Sequence, residues 1–225
     1  GAAVMGQRLY LALALRNRLA SLRNRNVRDG AVMVVENATG DVLGYLGNDG
    51  QGTTARYVDG TMARRQAGSI LKPFLYALAF DLRLLTPASL VDDSPLEMPA
   101  PGGVYRPRNY DDHFNGLVSA RQALASSLNV PAVRTLNLVG IDAFLALLRG
   151  MGFSSLESAD YYGPSLALGS ADITLGELVD AYRALANAGL YQPSRLTPDE
   201  QRSAPVQVLS PEAAFLVADI LSDRE

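Results

Sequence analysis

Residues 30–48 read GAVMVVENATGDVLGYLGN, two apolar, β-rich runs around the turn-forming cluster NATGD. That pattern predicts an antiparallel hairpin. No later stretch repeats it with equal strength, and PVQVL at 205–209 is a weak candidate strand. From about residue 70 the text turns helical. Two strands by themselves do not make a stable sheet, so the hairpin needs partners. The expected class is therefore α/β (α+β), an antiparallel sheet flanked by a mostly helical body, with part of the sheet outside this chain.

The organisation follows from the same periodicities. Leu9, Leu13, Leu15, Leu19 and Leu22 recur at helical spacing between arginines. They predict an amphipathic helix packed on the sheet rather than lying on a membrane surface. NDGQGTTAR at 48–56 has no hydrophobic period and reads as a mobile loop. Residues 86–118, rich in Pro, Gly, Asp and Asn, read as a long irregular connection, a kind of segment that tends to be functional. Ser119 with Gln122, and Thr174 with Glu177, match capping boxes. Pro131 marks a helix start, while Gly140, Gly150 and Gly189 mark helix stops. Ser210-Pro211-Glu212 opens a last helix. The chain reads as one domain over 1–225: a helix and linker over 1–27, the hairpin and loop over 28–60, and a helical body over 61–225.

Composition narrows the function. A net charge of −3 gives no electrostatic case for nucleic acid. Cysteine is absent and His113 is the single histidine, so a thiol nucleophile is excluded and a zinc site would have to lean on carboxylates. No cofactor is indicated. LYLALAL at 9–15 is too short to span a bilayer. A start at Gly rather than Met reads as an excised piece of a longer protein, with any membrane anchor outside it.

RRQAGSILKPFLYALAF, residues 64–80, contains Lys72, the single lysine; every other basic residue is arginine. Ser69 stands three positions earlier, after Gly68, at an expected helix N-terminus. Free N–H groups and the helix dipole there favour negative charge on a nucleophilic oxygen or an oxyanion. Lys72 lies one turn along the same face. A lysine acts as a base only when neutral, which requires its pKa to fall. Arginine could not replace it, because guanidinium stays charged. Pro73 lacks an N–H, and the missing bond would have gone to the Ser69 carbonyl. The competing reading is an ordinary surface helix. A second element, Ser127-Leu128-Asn129, offers a hydroxyl that can pass a proton and an amide that can hold a peptide-like substrate. It also fits a plain helix cap.

Together these residues resemble the penicillin-binding, active-site-serine transpeptidases, whose wider superfamily carries S-x-x-K, S-x-N and K-T-G motifs. AGSILKPFLYALAF resembles the family's first motif, and YRPRNYDDHFNGLVSARQALASSLNVPAVRTL the stretch leading into the second. ALGSADITLGELVDAYRALANAGLY resembles the helical segment that follows in class A members, the likeness being to the 1C type. It extends over about residues 28–222. It implies that Ser69 is the acyl nucleophile, Lys72 its base, Ser127 a proton relay, and Asn129 a substrate ligand. The backbone N–H of Ser69 would form half of an oxyanion hole.

The implied substrate is the D-Ala-D-Ala end of a peptidoglycan stem peptide, with β-lactams as mimics that stay attached. The implied setting is the periplasmic face of the bacterial inner membrane, in a protein that also carries an N-terminal glycosyltransferase domain. Ala67 and Ile70 depart from the family's usual residues, and K-T-G is absent; in the family it lies on a strand just after a segment like EAAFLVADILSDRE. The resemblance therefore implies a transpeptidase parent protein and a domain truncated before that strand, with an inactive piece, or one that needs a complementary fragment, as the alternative to an active one. In the family that motif gives a second cation and another oxyanion donor; losing one such donor costs about 10²–10³ in rate. A D,D-carboxypeptidase, a serine β-lactamase and a non-catalytic penicillin-binding sensor are the alternatives. His113, Asp111, Asp112, Arg64 and Arg65 read as loop or solvated residues. Tyr105 and Tyr110 are placed near a cleft by the resemblance.

Overall fold

The computed structural model describes residues 2–48, 55, 57–100, 103–197 and 200–223. It opens with α1 (Ala2–Leu22), followed by the hairpin strands β1 (Val32–Val35) and β2 (Val42–Leu46). These pair antiparallel, with Val32 opposite Leu46 and an irregularity at Val34/Val35. The helix lies on the hairpin. A Cβ at Gly44 would stand 2.3 Å from Leu11 Cδ1, and one at Gly30 would stand 2.9 Å from Leu15 Cδ1. The inward stripe is Leu11, Leu15, Leu19 and Leu22, spaced four, four and three. Leu13, expected on that stripe, is 59% exposed, because two residues from Leu11 is the far side of a helix. The loop expected over 48–56 lies outside the described residues, apart from Asn48 and Ala55.

Next come β3 (Arg65–Gln66), a 3₁₀ turn (Gly68–Leu71) and α2 (Lys72–Asp81). Every side chain from Lys72 to Phe80 is buried, so α2 is the axis of the core rather than an amphipathic surface helix. The stretch 86–118, expected to be irregular, contains four short strands. β4 (Leu90–Asp93) pairs antiparallel with β7 (Gly116–Ser119), and β5 (Met98–Ala100) with β6 (Gly103–Tyr105). Strands of three or four residues, interrupted by Pro and Gly, show no alternation long enough to be read in sequence.

The helical body follows: α3 (Ala120–Ala125), α4 (Asn129–Val139) and α5 (Ile141–Gly150) pack around α2. Gly140, at φ +88°, breaks the chain between α4 and α5, which meet at 92°. A short helix α6 (Ala159–Tyr162) and a 3₁₀ run over Gly163–Leu168 lead to β8 (Asp172–Ile173) and α7 (Leu175–Ala186). Thr174 and Glu177 make both bonds of the expected capping box, whereas at α3 only the serine half forms, Ser119 Oγ accepting from Gln122 N. β9 (Leu190–Tyr191) pairs with β10 (Val206–Gln207), which is the weak candidate PVQVL. α8 (Pro211–Leu221), capped by Ser210, closes against α2. Each ladder has two strands, and each leans on a helix or a neighbouring loop. Among the described residues no single helix is long and apolar enough to cross a membrane.

Several tethers join the hairpin to the body, among them the backbone bridge and ion pair between Asp41 and Arg195. Arg183 and Asn187, from α7 and its end, donate to the Asn37 carbonyl in the hairpin turn (3.2 and 2.7 Å). Tyr45 on β2 shares a hydrogen-bonded cluster with Asp59 and Thr61, and the Thr61 carbonyl accepts from Leu175 N (3.1 Å).

Candidate active site

Ser69 sits in the 3₁₀ turn, not in the α-helix, which begins at Lys72. A 3₁₀ turn has three residues per turn, so side chains three apart eclipse. Ser69 and Lys72 are therefore brought to one side more directly than α-geometry would bring them. Lys72 N donates to the Ser69 carbonyl, which satisfies the acceptor that Pro73 cannot reach. The Ser69 N–H lies ahead of the first bond the turn can close internally, and Ser69 itself is exposed. Its Oγ makes no hydrogen bond among the described residues.

The turn is held from outside. β3 pairs with β8, Ala67 N donates to the Ala171 carbonyl (3.0 Å), and Gly68 N to the Gly169 carbonyl (2.9 Å). Gly68 and Gly169 both adopt left-handed backbone angles, φ +64° and +78°. A Cβ on Gly169 would stand 1.9 Å from the Gly68 carbonyl oxygen, so only glycine fits there. Tyr182 on α7 donates to the Ile70 carbonyl (2.9 Å) while its ring meets Phe74 edge-on at 5.0 Å. Burial pushes that phenol up to about 12.

Lys72 is 1% exposed. Its Nζ lies 2.5 Å from the Ser127 carbonyl, 3.1 Å from Ser127 Oγ and 2.7 Å from Asn129 Oδ1. Three oxygens match the three donors of an ammonium, and Ser127 Oγ can turn to donate to a neutral amine. Burial holds Lys72 well below the usual lysine range, at about 8. The structure thus brings Lys72, Ser127 and Asn129 into one hydrogen-bonded cluster, with Ser69 one turn away. Ser127 takes φ +53°, a left-handed conformation that costs a non-glycine residue energy and aims its carbonyl at the lysine. Asn129 begins α4, and Leu128, at its N-cap, provides no side-chain cap.

The cap comes from a residue not singled out in the sequence. Asn109 Oδ1 accepts from Asn129 N (2.9 Å), and the neighbouring Arg108 carbonyl accepts from Asn129 Nδ2 (2.7 Å). Its signal was present in YRPRNYDD, where an amide stands beside turn-forming residues, but nothing local shows which helix it would cap. Beside Ser127 a cleft of about 360 Å³ is lined by residues including Asn109, Tyr110, Asn115 and Gln122. Tyr110 is fully exposed on this rim, whereas Tyr105 is half-buried. His113 stays within its own loop, Nδ1 lying 2.7 Å from the Asp111 carbonyl, and Arg64 and Arg65 face solvent. Among the described residues no cluster of His, Asp and Glu is placed to hold a metal.

Comparison with known proteins identifies the family and the fold. The family model described as "Penicillin binding protein transpeptidase domain" matches residues 30–225. Penicillin-binding protein 1C of Escherichia coli (strain K12) is 37% identical over 197 residues, covering 86% of this chain and 25% of that protein. Penicillin-binding protein 1A of Aquifex aeolicus (strain VF5) is 34% identical over 163 residues, 72% of this chain and 22% of that one. The chain therefore spans about a quarter of the length of the curated relatives it matches. Among solved structures, penicillin-binding protein 1A of Haemophilus influenzae superposes with a TM-score of 0.74 at 24% identity, over 86% of this chain and 34% of that one. A peptidoglycan glycosyltransferase of Burkholderia ambifaria superposes at 0.76, also at 24% identity, over 94% and 70%. These superpositions establish the fold, and the match across 30–225 with the 37% relative establishes the lineage: the chain belongs to the penicillin-binding protein transpeptidase domain family.

Proposed function

We propose that this chain is a single transpeptidase domain carrying the acyl-transfer chemistry of a serine D,D-transpeptidase, with Ser69, Lys72 and Ser127 as its catalytic residues. The observation that carries the reading is the buried Lys72 amine, shared between Ser127 and Asn129 one turn from an exposed serine. Neutral Lys72 takes the proton of Ser69 Oγ as that oxygen attacks the penultimate D-Ala carbonyl. The oxyanion forms beside the Ser69 N–H. As the C–N bond breaks, the proton passes from Lys72 through Ser127 Oγ to the departing D-Ala amine. Asn129 binds the donor peptide. An amine of a neighbouring stem peptide then attacks the ester and gives a proton to Lys72; as the ester C–O bond breaks, Lys72 passes that proton to the departing Ser69 Oγ, and the new amide leaves with Lys72 neutral again. A β-lactam follows the first half: its ring C–N bond breaks, the ring nitrogen takes the proton, and the ester persists.

The same reading assigns peptidoglycan stem peptides and β-lactams as ligands. It places the whole protein on the periplasmic face of the inner membrane, with a glycosyltransferase domain preceding this one. The test is intact mass after incubation with a penicillin, with Ser69→Ala alongside. One adduct per chain, absent from the variant, is expected. An adduct that survives Ser69→Ala, or none on the parent chain, overturns the assignment. Supplying a D-Ala-D-Ala peptide and an acceptor amine then separates cross-linking from hydrolysis and from a sensor that does neither.

A further inference from the structure

Asp93, at the end of β4, is 0% exposed and makes no ion pair among the described residues. A buried carboxylate without a cation is costly unless hydrogen bonds compensate it. Here every bonding neighbour is an N–H donor. Asn109 Nδ2 reaches both carboxylate oxygens (2.8 and 2.9 Å), and Asn115 donates to Oδ2 through its backbone N (3.0 Å) and Nδ2 (2.7 Å). These bonds fold the loop 109–115 around one anion.

The consequence is directional. A carboxylate only accepts, so the Asn109 amide must turn its NH₂ toward Asp93, and the His113 carbonyl, which accepts from the same Nδ2 (2.7 Å), favours that orientation too. The other end, Oδ1, then has to face outward, where it meets Asn129 N and Val130 N (2.9 and 3.4 Å). That contact caps α4, which has no cap of its own. The Arg108 carbonyl, held in the same segment, fixes the Asn129 side chain by the same logic: it accepts from Nδ2, which leaves Oδ1 for Lys72 Nζ. Donor and acceptor polarity therefore runs from Asp93 through Asn109 to the backbone of Asn129. The adjacent carbonyl sets which way the Asn129 amide faces the lysine.

We propose that Asp93 is a positioning residue for the Lys72–Asn129 pair, acting through the orientation of the Asn109 amide. The proposal rests on the reading of Lys72 as the site's base, but its readout does not require turnover. Asp93→Asn keeps the shape, removes the charge and turns one acceptor into a donor, so the hold on the Asn109 NH₂ weakens to a single amide oxygen and the His113 carbonyl (2.7 Å).

The test uses the chain with ¹³C-labelled lysine, which gives one ε-carbon signal because Lys72 is the single lysine. In Asp93→Asn the Lys72 midpoint is expected to fall by about half a pH unit or more, since a loosened cap on Asn129 N weakens the seat of the acceptor that faces the buried ammonium. Penicillin acylation is expected to slow by roughly tenfold or more. A folded variant whose midpoint is unmoved, or rises toward that of free lysine, overturns the proposal in favour of a purely structural role. Asn109→Ser makes a second test. It leaves Asp93 charged and bonded to Asn115 but removes the amide that joins Asp93 and the His113 carbonyl to the start of α4; the same fall is expected, and an unmoved midpoint is equally fatal. If neither variant folds, Asp93 belongs to the fold rather than to the site. If the parent chain is not acylated while Lys72 still responds to Asp93→Asn, the catalytic reading fails and the coupling stands.

Discussion

The burial of Lys72 makes a quantitative prediction that needs no substrate. Raising the pH on lysine-labelled chain should titrate one ε-carbon signal with a midpoint at about 8, against 10.5 for a solvated lysine. The difference corresponds to a cost of about 3 kcal/mol for holding the ammonium in the core, at roughly 1.4 kcal/mol per pH unit. Its sign follows from linkage. Between the folded and unfolded midpoints the unfolded chain binds more protons, so stability rises with pH across that window, and the penalty is complete below it. Urea unfolding should show the chain about 2 kcal/mol more stable at about pH 9.5 than at about pH 7.5, from this group. Lys72→Met should abolish that gain. For catalysis, about one Lys72 in ten is neutral at pH 7 and about one in a hundred at pH 6, so acylation should climb nearly tenfold per pH unit up to the midpoint. A midpoint within about half a unit of 10.4, or stability that is flat or falling between the two pH values, refutes the claim that burial tunes this lysine.

Two further perturbations address the frame around the site. Gly169→Ala should cost roughly 2–4 kcal/mol, read as a lowered urea midpoint, and remove most penicillin acylation, because its Cβ collides with the Gly68 carbonyl and its φ is left-handed; near-normal values for both would show that the turn is not held there. Ser127→Gly should leave stability equal or raise it by up to about 1 kcal/mol, by relieving a left-handed serine, whereas Ser127→Ala keeps that strain; both should slow acylation, and a Ser127→Gly chain that acylates at the parent rate would remove the hydroxyl from the proton path.

What could be read in the sequence was whatever a short window contains. Ser69 and Lys72 stood out because one titratable amine among arginines three residues after a serine is a local pattern. Thr174 with Glu177, and Gly140, fixed helix ends by local backbone chemistry. The hairpin was legible from alternation and its turn. The strands of 86–118 were not, since each is too short for a period and is defined by its partner. The same is true of Asp93 and Asn109, whose importance lies in bonds to residues about twenty positions away. Leu13 was misplaced because leucines two apart both look apolar in sequence, while only one can face the hairpin. The burial of α2 on all sides was hidden by Lys72 itself, a residue type almost never fully buried.

The pairing of β3 with β8 also has a meaning in time. Arg65 lies opposite Ile173, more than a hundred positions along the chain. A ribosome adding about 5–20 residues per second would take several seconds or more to make the strand that seats the Ser69 turn. Lys72 waits for Asn129, 57 residues downstream. Closing loops of this size carries an entropic penalty before the contacts form. The serine that the mechanism requires is thus synthesised early and armed late. During its folding the chain holds a nucleophile segment without a base or a fixed turn, and chemistry waits for the topology to close.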